Sequence, residues 1–286
     1  MVPLSNPPNG SVLRLPASHG MWTRLDVVAS TGSTNADLLA QAGAAEGPGA
    51  PEGPGAGGAP EGTVLVTEEQ TAGRGRLGRS WSSVPGGSLT FSVLLRPAAV
   101  PPGRRGWLPL LAGLAVVAAV RSAGVDAVLK WPNDVLAGGG KLAGILAEQS
   151  PDGAAVVLGI GLNVAAPDGI APVPASAGGL SPASLLGALP AGAVVSRAAL
   201  LLDLLGQLEA RYQAFQVAAD PAGSGLLAEY RARCATLGQP VRVLLPGDRE
   251  LAGVARDVDA EGRLLVAAGD GAEIPVSAGD VIHVRT

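Results

Sequence analysis

Three groups of residues in this chain have the types and spacing to do chemistry. The first is TAGRGRLGRSW, residues 71–81. Gly73, Gly75 and Gly78 let backbone N–H groups approach a phosphate closely. Arg74, Arg76 and Arg79 add forked, permanently charged donors that fit phosphate or carboxylate oxygens, and Trp81 can stack on a flat base. The second is LKWPNDVLAGGGKLAGILAEQ, from Leu129 to Gln149, which holds Lys130 and Lys141, the two lysines of all 286 residues; the other eighteen basic residues are arginines. A lysine ammonium is a compact point charge that can follow negative charge as it moves between oxygens in a transition state. Asp134 can orient such a lysine or help hold a magnesium ion. The third is STGSTN, residues 30–35, together with Gln70. Its neutral donors and acceptors suit an amide or urea in an apolar pocket, and simple helix capping accounts equally well for Ser33 or Thr34 taken alone.

Other chemistries are excluded. The loop formally contains G-x-G-x-x-G, but it leads into another strand, and the next acid after Glu69 is Asp126. A dinucleotide fingerprint needs a strand before it, a helix after it and an acid about 20 residues on. No P-loop motif is present, His19 and His283 give no catalytic triad, and a single cysteine, Cys234, permits neither an internal disulfide nor a cysteine metal cluster. Beyond residue 20 the three asparagines, Asn35, Asn133 and Asn163, fall in STN, PND and GLN, each at the edge of an element. An anion pocket, a stacking tryptophan and a neutral polar pocket together suit activation of a carboxylic acid by a nucleotide.

The elements that must position these groups are readable. With 47% apolar and 3% aromatic residues, the core is mostly Ala, Val and Leu. Strands are predicted at Leu25–Ala29, TVLVTEEQ, SLTFSVLLR, AVLKW, KLAGILAEQ and AAVVLGIGLNV. AVLKW and KLAGILAEQ are taken as two successive strands joined by the turn NDVLAGGG, which brings both lysines toward one site. WLPLLAGLAVVAAV, Trp107 to Val120, is a buried helix, since 14 residues fall short of the roughly 20 a bilayer needs. Amphipathic spacing predicts a helix from Ser196 through Phe215, and another over about 224–235. From residue 236 five short strands suggest a small SH3-like β-barrel. Residues 1–20 read as a disordered leader with no signal-peptide character, and 42–62 as a flexible Gly/Ala/Pro insertion. That leaves a catalytic unit over 21–235 and a C-terminal β-domain over 236–286. The net charge of -4 and pI near 5.2 argue against general nucleic-acid binding. Yet Gln70 to Val125 has seven arginines and no acid, which suits an anionic small substrate; Arg104, Arg105 and Arg121 among them read as solvated helix flanks.

GSTNADLL, TEEQTAGRGRLGRSW, LKWPNDVL, GGKLAGILAE and GIGLNV, in this order, resemble the catalytic domain of the biotin protein ligases, and the resemblance runs over about residues 22–286. It implies an α+β fold, with a mixed, mainly antiparallel sheet and helices plus the small C-terminal β-domain. It further implies a two-step reaction in which biotin and ATP, with magnesium, give biotinyl-5′-AMP, and a lysine of a carboxyl carrier domain of acetyl-CoA carboxylase or a related carboxylase then takes the biotinyl group. By resemblance, Ser33, Thr34, Asn35 and Gln70 surround the ureido ring, and Arg74, Gly75, Arg76, Lys141 and Gly144 complete the biotin site. Arg79, Trp81, Asn133, Lys141 and Asn163 hold ATP or the adenylate, Arg79 facing the phosphates. Lys141 matches the principal catalytic lysine, Arg76 the arginine that retains the intermediate, and Asp134 arranges a lysine or magnesium. The N-terminal winged helix-turn-helix of bifunctional members has no counterpart, so operator binding is not expected, nor a membrane partner; the expected location is the cytoplasm. Lipoate ligases and octanoyl transferases share the fold but lack the GRGR…GRSW and KWPND combination. The intact Lys141 and arginine loop count against a non-catalytic biotin-sensing regulator.

Overall fold

The structure is a computed structural model, and it describes residues 20–43, 58–82, 85–165, 180–245, 247, 249–269, 271–277 and 279–284. The expected leader, apart from Gly20, lies outside the described residues, and so do 44–57 of the expected insertion. A seven-stranded sheet forms the frame, from β1 (Arg24–Thr31), β2 (Thr63–Gln70), β3 (Ser88–Leu95), β4 (Val128–Lys130), β5 (Asp134–Ala137), β6 (Gly140–Gln149) and β7 (Val156–Asn163). Its order is β1-β2-β3-β7-β6-β5-β4. The β1–β2 pair is parallel and the other pairs are antiparallel, so the sheet is mixed and mainly antiparallel, as expected.

Helices cover both faces. On one lies α1 (Thr34–Ala42), started by Ser33, whose side chain accepts from the Ala36 N–H. Its Leu38 packs into a small cluster with Leu65, Leu94 and Val157. On the other lies α2 (Trp107–Ser122), with α3 (Leu185–Ala188), α4 (Arg197–Ala218) and α5 (Leu226–Arg233) completing the helices. The span Pro102–Ser122 is long and apolar enough by length and composition to cross a membrane. In the fold, twelve of the sixteen α2 residues are buried, because the helix is apolar on every side and packs against both the sheet and α4. At the start of α4 the fully buried Arg197 meets both oxygens of Glu68, at 2.6 and 3.0 Å, and the Ser88 carbonyl at 3.0 Å.

A second, five-stranded antiparallel sheet follows: β8 (Pro240–Leu245), β9 (Arg249–Val258), β10 (Leu264–Ala267), β11 (Glu273–Val276) and β12 (Asp280–His283), in the order β11-β10-β9-β8-β12. These are the five expected strands of the small SH3-like β-domain, and among the described residues no ladder joins β11 to β12. Two tryptophans of the first unit reach across to the β9–β10 turn. Trp107 Nε1 donates to the Asp259 carbonyl and Trp131 Nε1 to the Gly262 carbonyl, each at 3.0 Å. Gly106 allows the contact, since a Cβ there would lie 2.3 Å from the Glu261 carbonyl oxygen.

The expected turn between the lysines is itself structured. Asp134–Ala137 is an additional strand, β5, so three strands rather than two run from Lys130 to Gln149. Its four residues are too short to give a period-2 signal among the surrounding turn residues. Arg121 pairs with Asp126 at the surface as a helix flank, whereas Arg104 and Arg105, expected to be solvated as well, are half-buried and donate to the Ala219 and Gly153 carbonyls, each at 2.6 Å.

Candidate active site

Strand alternation decides what faces the site. Cross-strand partners share a face, and Asp134, Gly144, Gly161 and Thr90 stand in one row across β5, β6, β7 and β3. The next row on that face holds Leu146, Gly159 and Ser92. Farther along the same face α1 covers Leu94 and Val157. The uncovered part is a trough floored by three glycines, and a cavity of about 260 Å³ opens above it. Its walls include Ser33, Thr34, Asn35, Gln70, Arg74, Gly75, Arg76, Arg79, Trp81, Asn133, Lys141, Gly144 and Asn163. Of the residues singled out from the sequence, Lys130, Gly73 and Gly78 do not line it, and Asp134 touches it through Lys141.

Lys141 reaches this face through a β-bulge. The β5–β6 pairing runs Val135↔Ala143 and then Leu136↔Lys141, so Leu142 is an extra residue on β6. Leu142 and Ala143 both enter the core, and the strand turns Lys141 to the side of Gly144, where a Cβ would lie 3.3 Å from Lys141 Cε. Lys141 Nζ sits 2.6 Å from Asp134 Oδ1, an ion pair rather than a linear hydrogen bond. The other lysine, Lys130, is buried opposite Asp134 in the β4–β5 register. Burial lowers its pKa, Asp134 opposing the shift and the Lys141 charge adding to it.

The arginine loop is a tight hairpin. Trp81 N–H donates to the Gly73 carbonyl at 2.9 Å and Gly75 N–H to the Arg79 carbonyl at 2.6 Å, around a turn at Arg76–Gly78. The Gly75 N–H is therefore spoken for, contrary to the reading in which the loop's N–H groups are free for phosphate. Arg79 lines the cavity, but its guanidinium meets Asp280 of β12 at 2.6 Å. Arg76 reaches Asn133 Oδ1 at 3.4 Å, and burial lowers its pKa against the opposing charge of Asp280. Trp81 lies down on the trough: a Cβ at Gly161 would be 2.3 Å from its Cε2, and Lys141 Nζ is 5.7 Å from its ring centre.

The polar end of the cavity is wired together. Gln70 Oε1 accepts from Thr34 N and Oγ1 at 2.9 and 3.1 Å. The buried Ser92 hydroxyl lies 2.7 Å from Thr34 Oγ1 and 2.6 Å from Asn35 Oδ1. Asn133 is fixed to β6 by a 2.9 Å bond to the Ile145 carbonyl. Three buried polar atoms of the cavity wall, Trp81 Nε1, Thr90 Oγ1 and Asn163 Oδ1, have no protein partner. Buried polar groups left this way call for a ligand or water. Thr90, Ser92 and Glu148 escaped the sequence reading, although alternation along SLTFSVLL and GILAEQ marks the strand faces that carry them, and Gly159 and Gly161 of β7 escaped it too.

A resident magnesium does not fit here. Among the described residues no group of three His, Cys, Asp or Glu could hold a metal, and Lys141 already occupies Asp134.

Fold and site together are those of an acid-activating protein ligase. The Biotin/lipoate A/B protein ligase family matches residues 56–164, and the Biotin protein ligase C terminal domain matches residues 236–284. The chain is 45% identical to the biotin–[acetyl-CoA-carboxylase] ligase of Mycobacterium tuberculosis, over 92% of this chain and 90% of that one. It is 36% identical to the enzyme of the same name from Paracoccus denitrificans, over 84% of this chain and 92% of that one. A solved structure of the biotin protein ligase from Aquifex aeolicus in complex with biotin and ATP superposes with a TM-score of 0.70 at 27% identity, covering 92% of this chain and 99% of that one. The chain belongs to the biotin protein ligase family.

Proposed function

We propose that the chain joins biotin to ATP as biotinyl-5′-AMP and passes the biotinyl group to one lysine of a biotin carboxyl carrier domain, such as that of acetyl-CoA carboxylase. One observation carries the residue assignments: a glycine-floored trough joins a largely neutral polar end, at Ser33, Thr34, Asn35 and Gln70, to a cationic end where Lys141 lies beside Gly144 and Arg76 reaches Asn133. Biotin has that polarity, a neutral ureido ring at one end and a carboxylate at the other.

In the first step a carboxylate oxygen attacks the α-phosphorus, and the bond to the bridging oxygen breaks to release pyrophosphate. Lys141 is the cation for the α-phosphate oxygens, where charge accumulates, so it stabilises the transition state more than the ground state. Trp81, Asn133 and Asn163 serve the adenylate, and Arg79 the phosphates once it exchanges Asp280 for them. In the second step the neutral amine of the acceptor lysine attacks the acyl carbon, forming the amide as AMP departs and the amine loses its proton. Asp134 holds Lys141 in place, and Arg76, with Gly75 in the hairpin turn, keeps water from the anhydride. Magnesium travels with the nucleotide phosphates, and the reaction is placed in the cytoplasm, where ATP and the carrier are found.

The test is to mix the chain with ATP, magnesium, labelled biotin and a carrier domain. Pyrophosphate release and label on the carrier are expected. Transfer of lipoate or octanoate instead, or biotin binding with no pyrophosphate, overturns the reading.

A further inference from the structure

We propose that Glu148 is a positioning residue that couples occupancy of the polar end of the trough to closure of the arginine hairpin. The inference rests on the function proposed above. Glu148 follows Gly144 and Leu146 at two-residue spacing on β6, which turns its carboxylate toward the cavity side. There Oε2 accepts from Asn35 Nδ2 at 2.8 Å and from Arg74 NH2 at 3.2 Å, while Oε1 lies 3.1 Å from the same Arg74 nitrogen.

One carboxylate thus touches two parts of the site that are distant in sequence. Asn35 is buried, and its amide has both ends assigned. Nδ2 donates to Glu148 and to the Leu146 carbonyl at 3.2 Å, leaving Oδ1 for Ser92. Gly159 makes this approach possible, since a Cβ there would lie 2.3 Å from Asn35 Oδ1. Through Ser92 the chain of contacts runs on to Thr34 and Gln70. Arg74, in contrast, belongs to the hairpin and its side chain is about half exposed, at 46%. An exposed arginine holds a loop weakly unless its partner is fixed. Glu148 is fixed, because the buried Asn35 amide grips one of its oxygens. The carboxylate therefore transmits the orientation of the pocket floor to the hairpin that covers the ligand.

Two separable effects follow. Loss of the charge frees Arg74 and with it the hairpin, so the activated acyl group escapes faster. The same loss weakens the bond at Oε2, since a neutral amide oxygen accepts from Asn35 Nδ2 less strongly than a carboxylate oxygen, so Asn35 is held less firmly and biotin less well. Glu148→Gln, Arg74→Ala and the double variant test this, with melting temperature, biotin KM and kcat from pyrophosphate exchange, and the escape of acyl adenylate trapped by an added amine. For Glu148→Gln we expect biotin KM to rise about tenfold and escape to rise several-fold, with kcat within about twofold and an unchanged melting temperature. In the double variant, escape should match Arg74→Ala alone, while the rise in KM persists. Additive escape in the double variant overturns the coupling, as does a Glu148→Gln chain with unaltered KM and escape. If Glu148→Gln does not fold, Arg74→Ala carries the test: unaltered escape there also overturns it. A wild-type chain that releases no pyrophosphate with biotin sinks the function instead, which keeps the two failures apart.

Discussion

Asp134 stands in register with Gly144, yet its carboxylate meets Lys141, 2.6 Å away and on the face where Gly144 lies. In a regular strand, residues three apart face opposite ways. The extra residue Leu142 removes that conflict and delivers the ammonium into the trough, with the neighbouring carboxylate to fix it.

Removing that ammonium should cost turnover and leave the fold intact. Lys141→Ala is expected to lower kcat for adenylation by about 10²–10³, the usual effect of losing one preorganised charge-stabilising donor. Lys141→Arg should restore little, since a planar fork does not replace a point charge on a short path. Pyrophosphate exchange alongside thermal melting checks both, and near wild-type exchange in the alanine variant would remove Lys141 from the chemistry.

Trp81 depends on a glycine seat. In Gly161→Ala the new methyl group would sit 2.3 Å from Trp81 Cε2, so the indole must lift from the sheet. Nucleotide KM should rise by about tenfold, the effect of losing one base-stacking contact, with a smaller change in melting temperature. Unchanged nucleotide KM would mean that Trp81 has no role in holding the adenine.

The Arg197–Glu68 pair is a stability element. Glu68→Ala leaves a fully buried guanidinium without its carboxylate, and breaking such a pair costs about 3–5 kcal/mol. Denaturant unfolding should show a lower midpoint with an unchanged slope, whereas a shift under 1 kcal/mol would show the arginine finding another partner.

His283 should make the fold acid-sensitive. Its Nε2 lies 3.1 Å from Thr236 Oγ1, which accepts the Trp131 N–H, and burial, aided by the Lys130 charge, lowers its pKa below 6.5. The unfolded imidazole takes a proton near pH 6.5 while the folded one does not. The stabilisation is thus complete above that value and is lost as pH falls through it toward the lower folded pKa. Unfolding free energies at pH 7.5 and 5.5 should differ less in His283→Gln than in the wild type; an equal difference would assign the acid sensitivity to other groups.

Much of this was legible in the sequence because it depends on local pattern. The apolar run at 107–120 had to be buried, a helix start was offered at Ser33 or Thr34 and falls at Ser33, and the β-branched runs had to pair. The loop's arginines and Trp81 were visible as chemistry for the same reason, since their spacing lies within one short segment. What was not legible depends on register. Gly159 and Gly161 look like any strand glycines until β7 is set between β3 and β6. The Leu142 bulge leaves no mark in composition, and β5 is hidden among turn residues. Arg79 read as a phosphate ligand because Asp280, 201 positions away, comes from a different sheet.

The placement of the two lysines also fixes how this chain meets amine chemistry. Lys130 is buried and Lys141 is paired inside the cavity, and the sequence has no third. No lysine side chain outside the site can be decorated by succinimidyl esters, crosslinked by amine-reactive spacers, or tagged by the chain's own escaped acyl adenylate. In a mixture with its acceptor, label on any lysine side chain other than Lys141 in the cavity therefore reports on the partner.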